Sequence, residues 1–453
     1  MDPVFVATSA MPARIHVFST ADWSNGKPDG PLGVFAEASA FSGGAGQCVI
    51  APREDGTIGD VLFGVGDGRD ALALAGLSSR LPEADYQIQR LPEGLDFASA
   101  AAGWHDGAYR FDTYRSAPSM PPRLVLPESE NRAAIDREAR AIRLVRDLVN
   151  TPAEDMGPDA IQGAVSELAE DTGASLETIL GDALKEQNYP MVYAVGRAAA
   201  IAPRMMELTW GNPDHPELAI VGKGVAFDTG GLNIKTGDYM RLMKKDMGGA
   251  AHAIGLAKLV MDAGLPVYLK LYIPAVENAV AGNAFRPGDV VATRKGLKVE
   301  IDNTDAEGRL ILCDALARAC EGSPDLLLDY ATLTGAARVA LGPDLAPYYT
   351  DDDELSLSLQ AGSSACGDPV WRMPLWRPYA SMLSSSIADT TNSGGRMAGS
   401  ITAAVYLSKF VDAPRWMHFD IWAWREGKYG RPPGGAATGL RASWAMLQAR
   451  YAD

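Results

Sequence analysis

Beyond residue 156 the chain alternates between short, unbroken apolar runs and longer segments with helical spacing. This restricts the possible folds more than any other feature of the sequence. Residues 218–221 (LAIV) read as a strand buried on both faces, and 247–261 as a helix opened by Gly248-Gly249 and closed near Gly264. Residues 267–273 and 297–301 read as strands, 307–320 as a helix and 326–328 as a further strand. Apolar strands separated by helices predict a mixed, largely parallel sheet with helices on both sides. The first 130 residues carry shorter elements: a strand at 61–65, a helix at 70–81, and a strand at 123–126 set between prolines. Apolar Ile135, Ala139, Ile142, Val145 and Val149 recur three to four apart, and the run stops at Asn150-Thr151-Pro152. The expected architecture is α/β with two domains. An N-terminal α/β domain covers 1–130, a connecting helix 131–155, and a larger α/β/α domain 156–453.

Charge narrows the partners. With 41 basic and 57 acidic side chains the formal charge is −16. An acidic surface repels phosphate backbones, so nucleic acid is not expected as a partner. Carboxylates that bind cations also count in this sum as uncompensated charge. No apolar stretch reaches the roughly 18 residues of a membrane span, and the start, Met1-Asp2-Pro3-Val4-Phe5, lacks a basic region leading into an apolar one. Four cysteines with no CxxC pair argue against a thiolate zinc site and suit a reducing compartment, so the expected location is the cytoplasm.

HExxH, GxSxG and GxxxxGK[ST] are all absent, and the five histidines (His16, His105, His215, His252 and His418) have no metal-ligand spacing. The chemistry therefore falls to carboxylates, lysines and arginines. Three stretches carry them. In Val221-Gly222-Lys223-Gly224-Val225-Ala226-Phe227-Asp228-Thr229-Gly230-Gly231 a strand runs into a lysine between glycines and then an aspartate before two more. Lys235 follows, and Asp246 immediately precedes the small-residue helix, where it can also act as a cap. In Asn303-Thr304-Asp305-Ala306-Glu307-Gly308-Arg309-Leu310, Asp305, Glu307 and Arg309 share one side of an extended chain. Two carboxylates held together repel unless a proton or cation stands between them.

Taken together, Asp228, Asp246, Asp305 and Glu307 supply four negative charges that two divalent cations would cancel. Lys235 and Arg309 then remain to meet an anionic transition state, and Lys223 can serve as a nitrogen ligand where a metal displaces its proton. Oxygen-rich donors with one nitrogen suit Mn, Mg or Zn.

VGKGVAFDTGG, the lysine of Asn233-Ile234-Lys235, KDMGGAA and above all NTDAEGRL resemble the leucyl aminopeptidase family, the cytosol aminopeptidases of peptidase family M17. So do residues 329–336 (DYATLTGA), and Ile387-Ala388-Asp389 with Asn392 and Gly394-Gly395-Arg396. The resemblance is dense from about 150 to 450 and weaker before it. It implies a macro-domain-like N-terminal domain, a homohexamer, and hydrolysis of the first residue, Leu-like or otherwise apolar, from peptides with a free N-terminus. It also implies two divalent ions, Zn²⁺ and/or Mn²⁺. One would be held by Asp228, Asp305, Glu307 and a backbone carbonyl, the other by Lys223, Asp228, Asp246 and Glu307. Lys235 and Arg309 match the family's catalytic pair, with a bicarbonate ion near Arg309. Met243, Thr332, Leu333 and Gly335 match substrate-binding positions, Leu333 through its carbonyl.

The run 417–424 (MHFDIWAW) is more aromatic than the family pattern, which bears on the side-chain pocket. Other readings start elsewhere. Gly66-Asp67-Gly68-Arg69-Asp70-Ala71 loosely fits a dinucleotide-binding turn, which would make the chain a nucleotide-binding or non-catalytic hexameric scaffold protein. Carboxylates alone would also permit a two-metal phosphoesterase, but such sites commonly recruit histidine.

Overall fold

The computed structural model describes residues 1–115, 119–427 and 431–452. Cα packing divides the chain into two units: Met1–Arg143 with Arg425–Gly434, and Leu144–Trp424 with Gly435–Asp453. The division falls inside the helix Arg132–Asn150.

The first unit is built on a six-stranded sheet. Its strand order is Phe5–Val6, Arg123–Val125, Asp85–Arg90, Ala13–Phe18, Ile58–Gly64 and Cys48–Pro52, parallel except for the last pair. Ile15, Val17, Val61, Phe63 and Tyr86 point into one core with Trp104 from the helix Phe97–Ala108. The helix expected at 70–81 shrinks to Ala75–Ser78. Asp70 explains this locally: its carboxylate accepts the Leu72 N–H at 2.9 Å, an Asx turn that competes with helical bonding.

The second unit carries a nine-stranded mixed sheet. Across it run Val370–Arg372, Ala346–Tyr349, Trp416–Asp420, Leu326–Ala331, Glu217–Gly222, Tyr268–Asn278, Arg204–Trp210 and Ser175–Leu180, with Gly224–Asp228 also paired to Tyr268–Asn278. The central members, from Trp416–Asp420 to Tyr268–Asn278, are mutually parallel, and Gly224–Asp228 joins them in that direction. Their C-terminal ends therefore lie on one side, where open α/β sheets place their sites. Leu218, Ala219, Ile220 and Val221 are fully buried, as an unbroken apolar run between helix layers requires. The helix Gly248–Ala263 ends at Gly264, whose φ of +65° is the left-handed cap that glycine adopts without strain. It packs tightly on the sheet: a Cβ on Gly249 would lie 2.3 Å from the Tyr330 carbonyl oxygen.

The strand expected at 297–301 is shorter, Lys298–Glu300, and belongs to a separate three-stranded sheet with Val290–Ala292 and Thr390–Thr391. The helices Gly248–Ala263 and Gly308–Cys320 form close to the expected positions. Among the described residues no helix is long and apolar enough to cross a membrane.

Candidate active site

Lys223 follows the strand Glu217–Gly222, Asp228 ends Gly224–Asp228, and Thr332 follows Leu326–Ala331, so all three stand at the same edge of the sheet. Lys223 Nζ is the hub. It lies 2.6 Å from Asp246 Oδ2, 3.0 Å from Glu307 Oε1 and 2.9 Å from the Thr332 carbonyl oxygen, and only 2 % of the residue is exposed. Lys235 Nζ stands 2.8 Å from Asp228 Oδ2 and also donates to Asp305 Oδ1. Asp228, Asp305 and Glu307 each offer one oxygen, and these three atoms lie within 4.8 Å of one another.

The backbone accounts for this convergence. Asp305 and Glu307 do not meet through strand parity, because the chain turns at 304–305 and Glu307 already has helical backbone angles. Asn303 Oδ1 accepts the Asp305 N–H at 2.9 Å, and Asn392 Nδ2 holds the Asn303 carbonyl at 2.7 Å. Gly230 has φ +86°, and a Cβ there would lie 2.5 Å from the Asn233 carbonyl oxygen and 3.1 Å from Asp305 Oδ1, so the loop closes over the carboxylates only with glycine. Asp246 does not cap the helix after it. Met247 holds that position, and the Asp246 carboxylate turns to Lys223. Arg309 is 7 % exposed and donates to the Asn392 carbonyl at 2.8 Å, while its Nε has no hydrogen-bond partner. It forms no ion pair with Asp305 or Glu307, so the shared side expected from an extended chain does not survive the turn into the helix Gly308–Cys320.

Electrostatics follow from burial. Desolvation, and then the Asp246 charge, push the Asp228 carboxyl up to about 6. Desolvation, and then the Asp228 charge, push Glu307 up to about 7, and Asp305 rises through burial and its neighbour Glu307. Asp246 goes the other way. Burial opposes its ionisation, but the Lys223 and Lys245 charges outweigh it and hold the carboxyl below its usual range. Burial likewise disfavours the Lys223 and Lys235 ammonium groups, yet the surrounding carboxylates hold both above the ordinary lysine value. Carboxyls this reluctant to ionise hold either a proton or a cation between them. Three convergent oxygens, a fourth carboxylate and one amine nitrogen are a donor set that fits divalent cations.

The expected substrate-binding positions flank this cluster. Met243 opens the buried 3₁₀ turn Met243–Met247, and Thr332 Oγ1 donates to the Asp246 carbonyl at 3.0 Å. Leu333 is half-buried, and Gly335 is exposed at the start of the helix Gly335–Leu341, with open space where a Cβ would stand. Several contributors escape a reading of the sequence. Asn278 Nδ2 donates to Asp228 Oδ1 at 2.8 Å and to the Thr304 carbonyl at 3.0 Å. Thr304 Oγ1 donates to the Gly230 carbonyl and accepts from the Asn233 N–H. Lys245, 2 % exposed, places Nζ 4.1 Å from the Trp422 ring centre, and Arg338 approaches the same ring at 4.4 Å. Burial pushes the Lys245 ammonium down to about 8. The aromatic run marks Trp422; nothing local marks Asn278.

Fold and site together define a two-domain α/β protein with an acid-and-lysine centre suited to divalent metal. Residues 143–443 match the catalytic domain of the cytosol aminopeptidase family, and residues 19–127 match the M17 aminopeptidase N-terminal domain. The chain is 34% identical over 455 residues to a probable cytosol aminopeptidase of Syntrophotalea carbinolica, covering 92% of each. It is 41% identical over 360 residues to peptidase B of Pectobacterium atrosepticum, covering 77% of this chain and 81% of that one. The crystal structure of a cytosol aminopeptidase from Coxiella burnetii superposes with a TM-score of 0.93 at 42% identity over the whole of both chains. The bottromycin maturation enzyme BotP, in complex with Mn, superposes with a TM-score of 0.88 at 34% identity, covering 97% of this chain and 100% of that one. This chain belongs to the cytosol aminopeptidase (M17) family; it is a peptidase with the metal dependence of that family.

Proposed function

We propose that the chain is a two-metal aminopeptidase that removes an apolar, Leu-like first residue from peptides with a free N-terminus. The observation that carries this reading is the convergence of buried Asp228 and Glu307 with half-buried Asp305, and Lys223 drawn between Asp246 and Glu307. Asp228, Asp305 and Glu307, with a backbone carbonyl, would hold one divalent ion. Lys223, Asp228, Asp246 and Glu307 would hold the other, Lys223 as the neutral amine. Zn²⁺ and Mn²⁺ both suit these donors. When bound, the pair supplies positive charge that activates water near neutral pH.

The chain's own groups do the rest. Lys235, about one-seventh exposed at its side chain, faces the cluster and stabilises negative charge developing on the attacked carbonyl oxygen. The substrate's free terminal amine would ligate one of the metals, which restricts cleavage to the first peptide bond, and the Leu333 carbonyl holds the same amine by accepting a hydrogen bond from it. Met243, Thr332 and Gly335 border the first side chain. Arg309, buried with Nε unpaired, would hold a bicarbonate ion as proton acceptor. Residues 1–130, 131–155 and 156–453 serve as N-terminal domain, connecting helix and catalytic domain. A cytoplasmic homohexamer is the form we expect.

The test is release of Leu or Met from aminoacyl amides by the metal-loaded protein. Hydrolysis that stops on chelation and returns with Zn²⁺ or Mn²⁺ is expected. A fully metallated protein that leaves every such amide intact overturns the proposal.

A further inference from the structure

Asp420 ends the strand Trp416–Asp420, in register with Ala331, the last residue of the neighbouring parallel strand. Only 1 % of it is exposed, and among the described residues no cation forms a direct ion pair with its carboxylate; Arg309 and His418 act on it only at longer range. It accepts four hydrogen bonds instead. Oδ1 takes the Leu333 and Thr334 N–H groups at 3.1 and 2.9 Å, and Oδ2 takes the Thr334 and Ser400 hydroxyls at 2.6 and 2.7 Å. Burying a carboxylate with no cation in direct contact is costly, so a site that keeps one needs all of its acceptor capacity. Three of the four donors belong to one two-residue turn.

That turn links the proposed reaction centre to the helix Gly335–Leu341. Its preceding residue, Thr332, gives its carbonyl to Lys223 Nζ and its hydroxyl to the Asp246 carbonyl. Its last residue, Thr334, caps the helix Gly335–Leu341 by accepting the Ala337 N–H at 3.1 Å. We infer that Asp420 is a positioning residue for substrate recognition: it locks the Leu333–Thr334 turn so that the Leu333 carbonyl meets the terminal amine of the peptide. This rests on the aminopeptidase reading above. Asp420 touches neither substrate nor metal and acts through Leu333.

The test compares two inhibitors, leucinol and 4-methyl-1-pentanol, which differ only by the amine. Ki is measured against an aminoacyl amide, with metal content measured on the same samples. Wild type is expected to favour leucinol. Asp420→Asn retains one acceptor oxygen for the two N–H groups and leaves the hydroxyls free to turn and accept, so it should fold. It is expected to lose the leucinol advantage at least about tenfold while keeping its metal, and Asp420→Ala should lose more. Ser400→Ala removes one donor outside the turn and should keep the advantage. An unchanged advantage in fully metallated Asp420→Asn overturns the proposal, as does an equal loss in Ser400→Ala. Failure of wild type to hydrolyse any aminoacyl amide would instead defeat the underlying reading.

Discussion

Gly308→Ala is the most economical probe of the site's packing. A Cβ at position 308 would lie 2.5 Å from Lys223 Cε and 2.8 Å from both Cδ and Nζ. Carbon atoms rest about 3.5–4.0 Å apart, so the lysine side chain must retreat by roughly 1 Å. Its backbone cannot follow: Lys223 N donates to Tyr330 O at 3.0 Å, and Ala250 N donates to Lys223 O at 2.8 Å. The side chain also has no solvent to swing into. The displacement therefore falls on Nζ and its contacts with Asp246, Glu307 and Thr332. Overpacking of this kind costs about 1–3 kcal/mol, and a 1 Å error in catalytic geometry costs roughly a hundredfold in rate. We expect kcat/KM on Leu amides to fall about a hundredfold, while Tm drops by only about 2–4 °C per kcal/mol lost. Gly163→Ala is the control, since nothing lies within 4 Å of a Cβ there, and it should leave both quantities unharmed. A Gly308→Ala protein with wild-type kcat/KM would refute the argument that Lys223 is held to sub-ångström tolerance.

Other outcomes follow from the same geometry. Lys235→Met should lower kcat by about 10²–10³ while metal content, measured by elemental analysis, stays at the wild-type level. Asp305→Asn should leave about one metal ion per chain and Glu307→Gln should leave none after dialysis, because Glu307 is assigned to both ions and Asp305 to one. Equal metal content in the two variants would contradict that assignment. His252 is fully buried; its Nε2 accepts the Thr438 N–H at 3.0 Å, so its proton sits on Nδ1, 2.7 Å from the Gly248 carbonyl. Burial pushes its pKa from 6.5 down to about 4. The neutral ring thus stabilises the fold fully above pH 6.5, and that contribution is lost towards pH 4 by up to roughly 1.4 kcal/mol per pH unit. Denaturant titrations at pH 7 and pH 5 should show a steeper loss for wild type than for His252→Gln; equal slopes would contradict it.

Much of this site was legible as residue types before it was legible as geometry. Asp305 and Glu307 stand close in sequence between a strand and a helix, and the glycines after Asp228 announce a backbone curled around something small. Extended-chain parity gave the right pair of carboxylates for the wrong reason, because an Asx turn at Asn303 aims Asp305. The same rule fails for Arg309, which the helix turns towards Asn392. Lys235, ordinary in its local sequence, becomes an ion-pair partner when its loop folds back on Asp228, seven residues before it, and meets Asp305, 70 positions on. Asn278 and Asp420 leave no local trace, since each acts on a turn brought to it by strand pairing. The expected helix at 70–81 failed because one aspartate side chain could satisfy the backbone without it.

Two dications, we propose, hold these acids together. Crystals equilibrated with Zn²⁺ and measured at the zinc absorption edge test it directly. We predict two anomalous peaks per chain, one bounded by Asp228, Asp305 and Glu307 and one by Lys223, Asp228, Asp246 and Glu307. Peaks that appear only elsewhere on the surface, with Lys223 still bridging Asp246 and Glu307, would contradict it.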